Sequence, residues 1–227
     1  MPVEMTPIEV AARDAILVGD PRRAFALAQE LTVQPRMSHQ ARGLWGYRGI
    51  TKDGLDLTVQ STGAGGPSAV PVIGDLIGQG MKRFVRLGTC LALDPALEAG
   101  DLILIERAAA RDGASRKLSG GRDFVLPDPK LLTAFDGLGR RGCVSSHDLV
   151  ARYEPPEEPG TQPDRAIVRD LQTAAILAMS MRFRVAAAAL LIVVEDGSGK
   201  RLGEELLWDL FRATGRAVLE RLPKADT

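Results

Sequence analysis

Residues 83–90 read Arg-Phe-Val-Arg-Leu-Gly-Thr-Cys, a short apolar run that ends in an arginine, a glycine and a hydroxyl group. The run predicts a buried strand with Arg86 and Thr89 at its carboxyl end. In open α/β sheets, ligands bind in the crevice outside such strand ends. A guanidinium can hold two oxygens of one phosphate, and Thr89 adds a neutral donor, so the run indicates an anion site. A surface ion pair is the alternative interpretation of Arg86.

The composition is that of an ordinary globular protein. Of the 227 residues, 45% are hydrophobic and 26% are charged, which predicts a sizeable core and a single domain over residues 1–227. Basic and acidic residues number 29 each, so we expect neither nucleic acid nor an acidic membrane surface as a partner. Two cysteines are too few for a disulfide framework or a zinc site; we expect no metal and a reducing cytoplasm.

Targeting and membrane segments are not predicted. The first residues include acidic side chains and lack the basic and apolar regions of a signal peptide. The longest apolar run, at 185–194, is about half of the roughly 20 residues that a membrane helix needs. We therefore expect a cytoplasmic protein that does not enter a membrane.

A second anion-binding pattern lies near the amino end. The apolar run 15–18 is followed by Gly19-Asp20-Pro21 and then by alanine and leucine at helical spacing as far as Leu31. This order predicts a strand, a tight turn and a helix capped by Asp20. A helix that begins after a glycine presents free amide groups to an anion, and Arg23 falls in its first turn. A capped helix without a ligand is the alternative.

The remaining patterns alternate between strands and helices. They predict a hairpin over 43–61, a glycine-rich loop at 61–68, a helix over 69–79, strands at 102–105, 142–146 and 186–194, and helices over 170–181 and 203–222. No internal repeat is visible. The alternation predicts a protein of the α/β class.

Six segments resemble those of a known family: Gly19–Arg23, Arg42–Tyr47, Ser61–Ser68, Arg86–Thr89, Gly100–Asp101 and Arg111–Ser115. Their residues and their order are similar to those of the nucleoside phosphorylases, in the hexameric branch that includes bacterial purine nucleoside phosphorylase and uridine phosphorylase. The resemblance implies a three-layer α/β/α fold around a central mixed β-sheet. It also implies an enzyme that uses inorganic phosphate as co-substrate and no cofactor.

The resemblance implies roles for the residues of the anion site. Gly19 and Arg23 match one side of the family's phosphate site, and Arg86 and Thr89 match the other. Arg42 matches an arginine that the family supplies from a neighbouring subunit. We therefore expect a homodimer with shared active sites, either alone or within a hexamer of three dimers.

The nucleoside side of the family's site is less well matched. Asp170-Leu171-Gln172 stands where the family has a Glu-Met-Glu motif, which implies that Leu171 packs on the ribose and Gln172 binds a ribose hydroxyl. Glu9 falls where a family histidine reaches the sugar from the neighbouring subunit. The implied base pocket contains Cys90, Leu91 in place of a glycine, and Leu149 or Val150 in place of an aromatic residue.

Asp196 matches an aspartate that lies near the base nitrogen in the purine enzymes. The resemblance implies that it is the catalytic acid, provided that burial keeps it protonated; a loop aspartate facing water is the alternative. The uridine enzymes carry a Gly-Gln-x-Arg type loop that this sequence lacks, which favours a purine. The glycine-rich loop and Arg111–Ser115 are closer to the uridine type.

The leading hypothesis is reversible phosphorolysis of a nucleoside, giving a free base and a pentose 1-phosphate. Uridine phosphorylase is one alternative. A non-catalytic paralogue that binds phosphate or nucleoside is another, because Glu9, Leu91 and Gln172 all depart from the family. Hydrolysis by water is disfavoured, since a hydrolase has no use for the arginines of a phosphate site.

Overall fold

The computed structural model describes residues 7–154 and 165–223. Its strands are β1 (Asp14–Val18), β2 (Val33–His39), β3 (Gly46–Ile50), β4 (Asp56–Ser61), β5 (Arg83–Ala92), β6 (Leu102–Ala110), β7 (Phe124–Val125), β8 (Arg140–Ser146), β9 (Val168–Asp170) and β10 (Ala186–Glu195). Its α-helices are α1 (Pro21–Leu31), α2 (Gly66–Gly78), α3 (Gly113–Leu118), α4 (Pro129–Ala134), α5 (Thr173–Phe183) and α6 (Glu204–Arg221).

The strands form one mixed sheet, and β5 is its central member. Strand β5 pairs in parallel with β1 and β10, and its last residues pair in antiparallel with β9. Because β10 continues through β6 and β8 back to β9, these five strands close into a ring. Strands β1, β4, β3 and β2 extend from the ring as an open sheet. The predicted central mixed sheet is confirmed.

Helices cover both faces of the sheet. One apolar cluster joins α2 and α5 to the sheet and contains Phe84, Ile176 and Leu177. The other joins α1, α4 and α6 to the opposite face, with Leu27 and Phe211 among its buried residues. Each helix is held because it buries an apolar stripe against the strands. The three-layer α/β/α arrangement is therefore confirmed.

The β1–α1 unit follows the predicted order of strand, turn and helix. The Asp20 carboxylate accepts a hydrogen bond from the Arg22 amide at 2.7 Å, and Pro21 occupies the first helical turn. Ala24, Leu27, Ala28 and Leu31 are the buried residues at helical spacing. This local geometry brings Gly19 and Arg23 to the carboxyl end of β1, beside the end of β5.

Several elements differ from the sequence-based predictions: β2, β7, β9 and α3 were not predicted, and one helix begins later than expected. The helix expected over 170–181 begins at Thr173, because Asp170 ends the short strand β9 and its carboxylate accepts a hydrogen bond from the Thr173 amide at 3.0 Å. Strand β2 contains Pro35 and pairs irregularly with β3 at the edge of the sheet, where alternation of apolar residues is weak. Within the described residues, no helix is both long enough and apolar enough to span a membrane.

Candidate active site

A cavity of about 430 Å³ lies at the carboxyl ends of β1 and β5. This volume is within the range of small-molecule sites. Most of the predicted site residues line it: Gly19, Arg23, Arg86, Thr89, Cys90, Leu91, Val150, Leu171 and Gln172. The structure thus brings the predicted phosphate and nucleoside residues of a single chain to one cavity. Glu9, Arg42 and Asp196 are not among the residues that line it.

One end of the cavity is cationic. The Arg23 guanidinium lies over the Phe211 ring, 4.7 Å from the ring centre, which fixes its direction on the first turn of α1. Burial lowers the pKa of Arg23; the Asp20 carboxylate, which also lines the cavity, opposes this shift, and the neighbouring Arg22 and Arg86 add to it. Two arginines and the positive end of a helix therefore face the same space, an arrangement that favours an anion. We call this region, formed by Gly19, Arg23, Arg86 and Thr89, the cationic end.

Arg86 is buried and anchored from behind by the start of α5. Its Nε donates to Thr173 Oγ1 at 2.9 Å, Nη1 to Gln172 Oε1 at 2.7 Å, and Nη2 to Asp170 Oδ2 at 3.0 Å. Burial lowers the pKa of Arg86, while the Asp170 carboxylate opposes that shift. A buried guanidinium is tolerated here because it is paired and hydrogen-bonded. Arg86 is thus fixed in position, and Asp170 partly neutralises its charge.

Asp170 also completes the amino end of α5. Its Oδ1 accepts a hydrogen bond from Ser146 Oγ at 2.6 Å, and the same Ser146 oxygen accepts one from the Ala174 amide at 2.9 Å. The Thr173 amide donates to Asp170 as well. These first amides of α5 are therefore occupied by protein acceptors. The amino end of α1 also borders the cavity, and there the Asp20 carboxylate accepts a hydrogen bond from the Arg22 amide.

Gln172 links the glycine-rich loop to Arg86. Its Oε1 accepts hydrogen bonds from Thr62 Oγ1 at 2.8 Å and from Arg86 Nη1 at 2.7 Å, and its Nε2 donates to the Gly63 carbonyl at 2.9 Å. Both lone pairs of the amide oxygen are thus used within the protein. The implied role of Gln172 as the acceptor for a ribose hydroxyl is not supported by these contacts. Its position explains why a neutral amide suits this site better than a carboxylate, which would face the Gly63 carbonyl.

We expect Gln172→Leu to destabilise the fold by roughly 1–3 kcal/mol, because buried partners on Thr62, Gly63 and Arg86 would lose their hydrogen bonds. Chemical denaturation of the variant and the parent protein measures this difference. Gln29→Leu, at an exposed position of α1, is the matched control and should change stability by less than about 0.5 kcal/mol. Equal effects of the two substitutions would contradict the linking role of Gln172.

The other end of the cavity is largely apolar. We call this region, formed by Cys90, Leu91, Leu149, Val150 and Val194, the apolar end. Burial raises the pKa of the Cys90 thiol well above its ordinary value, so this sulfur is a neutral packing group. An apolar surface next to a cationic one suits a ligand with a flat ring and an anionic partner.

Arg169 lines the same cavity, and the sequence patterns did not single it out. It lies on β9, opposite Leu91 of β5, and its Nη2 donates to Glu154 Oε2 at 2.6 Å. The signal in the sequence was a charged residue directly between the apolar run 166–168 and Asp170. The match to the family's Glu-Met-Glu motif begins at Asp170 and therefore does not include Arg169.

Asp196 lies in a turn after β10. Its Oδ1 accepts hydrogen bonds from Ser198 Oγ at 2.6 Å, from the Ser198 amide at 2.9 Å and from the Lys200 amide at 3.1 Å. The hydrogen bond from the Ser198 side chain is the largest of the causes that lower the pKa of Asp196. A lowered pKa favours the charged carboxylate, so these contacts support the alternative of a loop aspartate over a buried, protonated acid, and the catalytic role of Asp196 stays a prediction.

We expect Asp196→Asn to leave kcat/KM for the purine nucleoside that the family resemblance implies within about threefold of the parent value, because an ionised carboxylate outside the cavity cannot donate a proton to the base. Steady-state assays at neutral pH with saturating phosphate check this. If kcat/KM falls by a hundredfold or more while thermal stability is unchanged, Asp196 takes part in the reaction.

Glu9 and Arg42 were predicted to act on a neighbouring subunit, which a single chain does not test. Glu9 is 3.7 Å from Arg48 Nη1. Arg42 is exposed in a 3-10 turn over Ala41–Gly43, with a left-handed backbone φ of 55°. Their roles towards a partner stay predictions.

Comparisons with known proteins agree with this geometry. A family model described as Phosphorylase superfamily matches residues 13–224. A DeoD-type purine nucleoside phosphorylase of Geobacillus kaustophilus is 32% identical over 194 residues, which cover 82% of this chain and 81% of the relative. One of Alkaliphilus metalliredigens is 28% identical over 199 residues, with 82% and 83% covered. A guanosine phosphorylase of Halorubrum lacusprofundi is 34% identical over 128 residues, with 54% and 50% covered. This chain belongs to the phosphorylase superfamily.

Proposed function

We propose that the protein is a purine nucleoside phosphorylase, which transfers the pentose of a purine nucleoside to inorganic phosphate and releases the free base. The observation that carries the proposal is the cavity itself, in which the cationic end and the apolar end adjoin. The relatives matched over most of their length are named purine nucleoside phosphorylases, which favours a purine over uridine.

The proposed reaction forms one bond and breaks one. A phosphate oxygen bonds to C1′ of the pentose while the bond from C1′ to the base nitrogen breaks, and the electron pair of that bond passes to the base. Positive charge develops on the sugar, so an anion held close to C1′ stabilises the transition state. Gly19, Arg23, Arg86 and Thr89 would hold this phosphate. Leu171 would pack on the pentose, and Cys90, Leu91 and Val150 on the base.

The proposal includes a shared site. Arg42 would contact the phosphate, and Glu9 the sugar, of a neighbouring subunit in a homodimer or in a trimer of dimers. Phosphate is the co-substrate, no cofactor takes part, and the protein acts in the cytoplasm.

The test is a panel of purine and pyrimidine nucleosides, assayed for base release with and without inorganic phosphate. Phosphate-dependent release from purine nucleosides is the expected result. If base is released from uridine alone, the substrate is a pyrimidine nucleoside and not a purine nucleoside. Release that does not depend on phosphate would indicate a hydrolase. If no nucleoside releases its base while phosphate raises the melting temperature, the protein is a non-catalytic binder. Two features favour this second candidate: the hydrogen bonds that Gln172 makes within the protein, and the position of Asp196 in a turn that does not line the cavity.

A further inference from the structure

The feature that carries a further inference is the Arg169 guanidinium at the apolar end of the cavity. Strand β9 places it opposite Leu91, and its side chain is only 14% exposed. Arg23 and Arg86 belong to the cationic end, so Arg169 brings a separate guanidinium group, paired with Glu154, to the region that would hold the base. The inference rests on the proposed function and concerns which purine the site accepts.

An ion pair holds Arg169 in place. Glu154 Oε2 accepts a hydrogen bond from Arg169 Nη2 at 2.6 Å, and its other oxygen is 3.0 Å from His147 Nδ1. The second nitrogen of His147 is 2.9 Å from Ser145 Oγ on β8. This chain of contacts connects the guanidinium to the sheet and to the segment that carries Leu149 and Val150. Arg169 is therefore a positioned group, since its partner is itself fixed.

The chemistry of the guanidinium selects among purines. Arginine carries five N–H donors and no acceptor. The edge of a 6-oxopurine that contains N7 and the C6 substituent presents two acceptors, whereas a 6-aminopurine presents one acceptor and one donor. Two parallel N–H groups match the first edge and meet a donor on the second. We propose that Arg169 makes this protein selective for 6-oxopurine nucleosides and stabilises the departing base.

The same contact acts on the bond that breaks. When the bond from C1′ to N9 breaks, its electron pair enters the ring system of the base and charge develops at N7 and O6. Hydrogen bonds from Arg169 to these atoms become stronger as that charge grows, so they stabilise the transition state more than the bound substrate. The base leaves as an anion and takes a proton from water. No protonated carboxylic acid is needed, which agrees with the ionised state of Asp196.

The test compares kcat/KM for inosine and for adenosine in one set of variants. The parent protein should favour inosine. Arg169→Gln should lower the inosine-to-adenosine ratio by roughly ten- to a hundredfold, because a carboxamide pairs with the N6 and N7 edge of adenine. Arg169→Met should lower the ratio by losing inosine turnover without gaining adenosine turnover. The ratio does not depend on the fraction of folded enzyme, so a destabilised variant still reports on selectivity.

Arg140→Gln is the matched control. Arg140 is likewise paired with a carboxylate, that of Asp94 at 2.7 Å, but it does not line the cavity. The inosine-to-adenosine ratio of this variant should therefore equal that of the parent protein. The inference is overturned if the parent favours adenosine, or if Arg169→Gln and Arg169→Met keep the parental ratio while phosphate-dependent release continues. In those cases the proposed function stands. If the parent protein releases base from neither nucleoside in the presence of phosphate, both the inference about Arg169 and the proposed function are overturned.

Discussion

Arg86→Met is expected to lower the free energy of unfolding by about 3–5 kcal/mol and to abolish phosphate-dependent base release. The guanidinium is the partner of a buried carboxylate, an amide oxygen and a hydroxyl, on Asp170, Gln172 and Thr173. Its removal leaves the Asp170 charge uncompensated at a position where the carboxylate side chain is only 2% exposed. Denaturant unfolding gives the stability change, and an assay at saturating nucleoside gives the activity change.

The double substitution Arg86→Met with Asp170→Asn separates the two effects. Because the buried charge is removed together with its partner, we expect the double variant to regain a substantial part of the lost stability. Base release should not return, since the cationic end still lacks its buried arginine. A single variant as stable as the parent protein would contradict the anchoring of Arg86 described above.

Arg23→Met is the second large effect that we expect. Arg23 is half-buried and directed into the cavity over Phe211, so its loss should remove a charge-assisted contact to phosphate of about 1.5–3 kcal/mol. This corresponds to a fall of roughly ten- to a hundredfold in kcat/KM for phosphate. The melting temperature should change little, because the methionine retains an apolar contact with the Phe211 ring.

Arg22→Met is the control for this prediction because it changes the adjacent residue of the same helix. Arg22 is exposed and pairs with Asp20 at 3.2 Å, and it does not line the cavity. Its substitution should leave kcat/KM for phosphate within about twofold. If the two variants behave alike, the effect of Arg23 is one of general surface charge, and the phosphate site has been assigned to the wrong residues.

The sequence was most informative where local patterns determine structure. The turn from Gly19 to Pro21 predicts a strand, a cap and a helix, and each is present. The run at 83–90 predicts a buried strand, and β5 is that strand. Its pairing with β10, which closes the ring, joins residues about a hundred positions apart and leaves no periodic signature in either segment.

The differences occur where side-chain orientation depends on contacts that the residue pattern does not show. Asp196 has the right place in the chain order, but its carboxylate is engaged by the hydrogen bonds of its own turn and does not line the cavity. Gln172 lines the cavity as predicted, yet Thr62 and Gly63 hold its amide. Arg169 was overlooked because its relation to the cavity arises only when the three-residue strand β9 pairs with both β5 and β8.

The most direct measurement of the central claim is phosphorus NMR of the protein with inosine and inorganic phosphate, combined with quantification of the base. We expect one pentose 1-phosphate for each hypoxanthine released, and no release without phosphate. Hypoxanthine that appears without a new phosphate ester, or no hypoxanthine under conditions where phosphate binds, would contradict it.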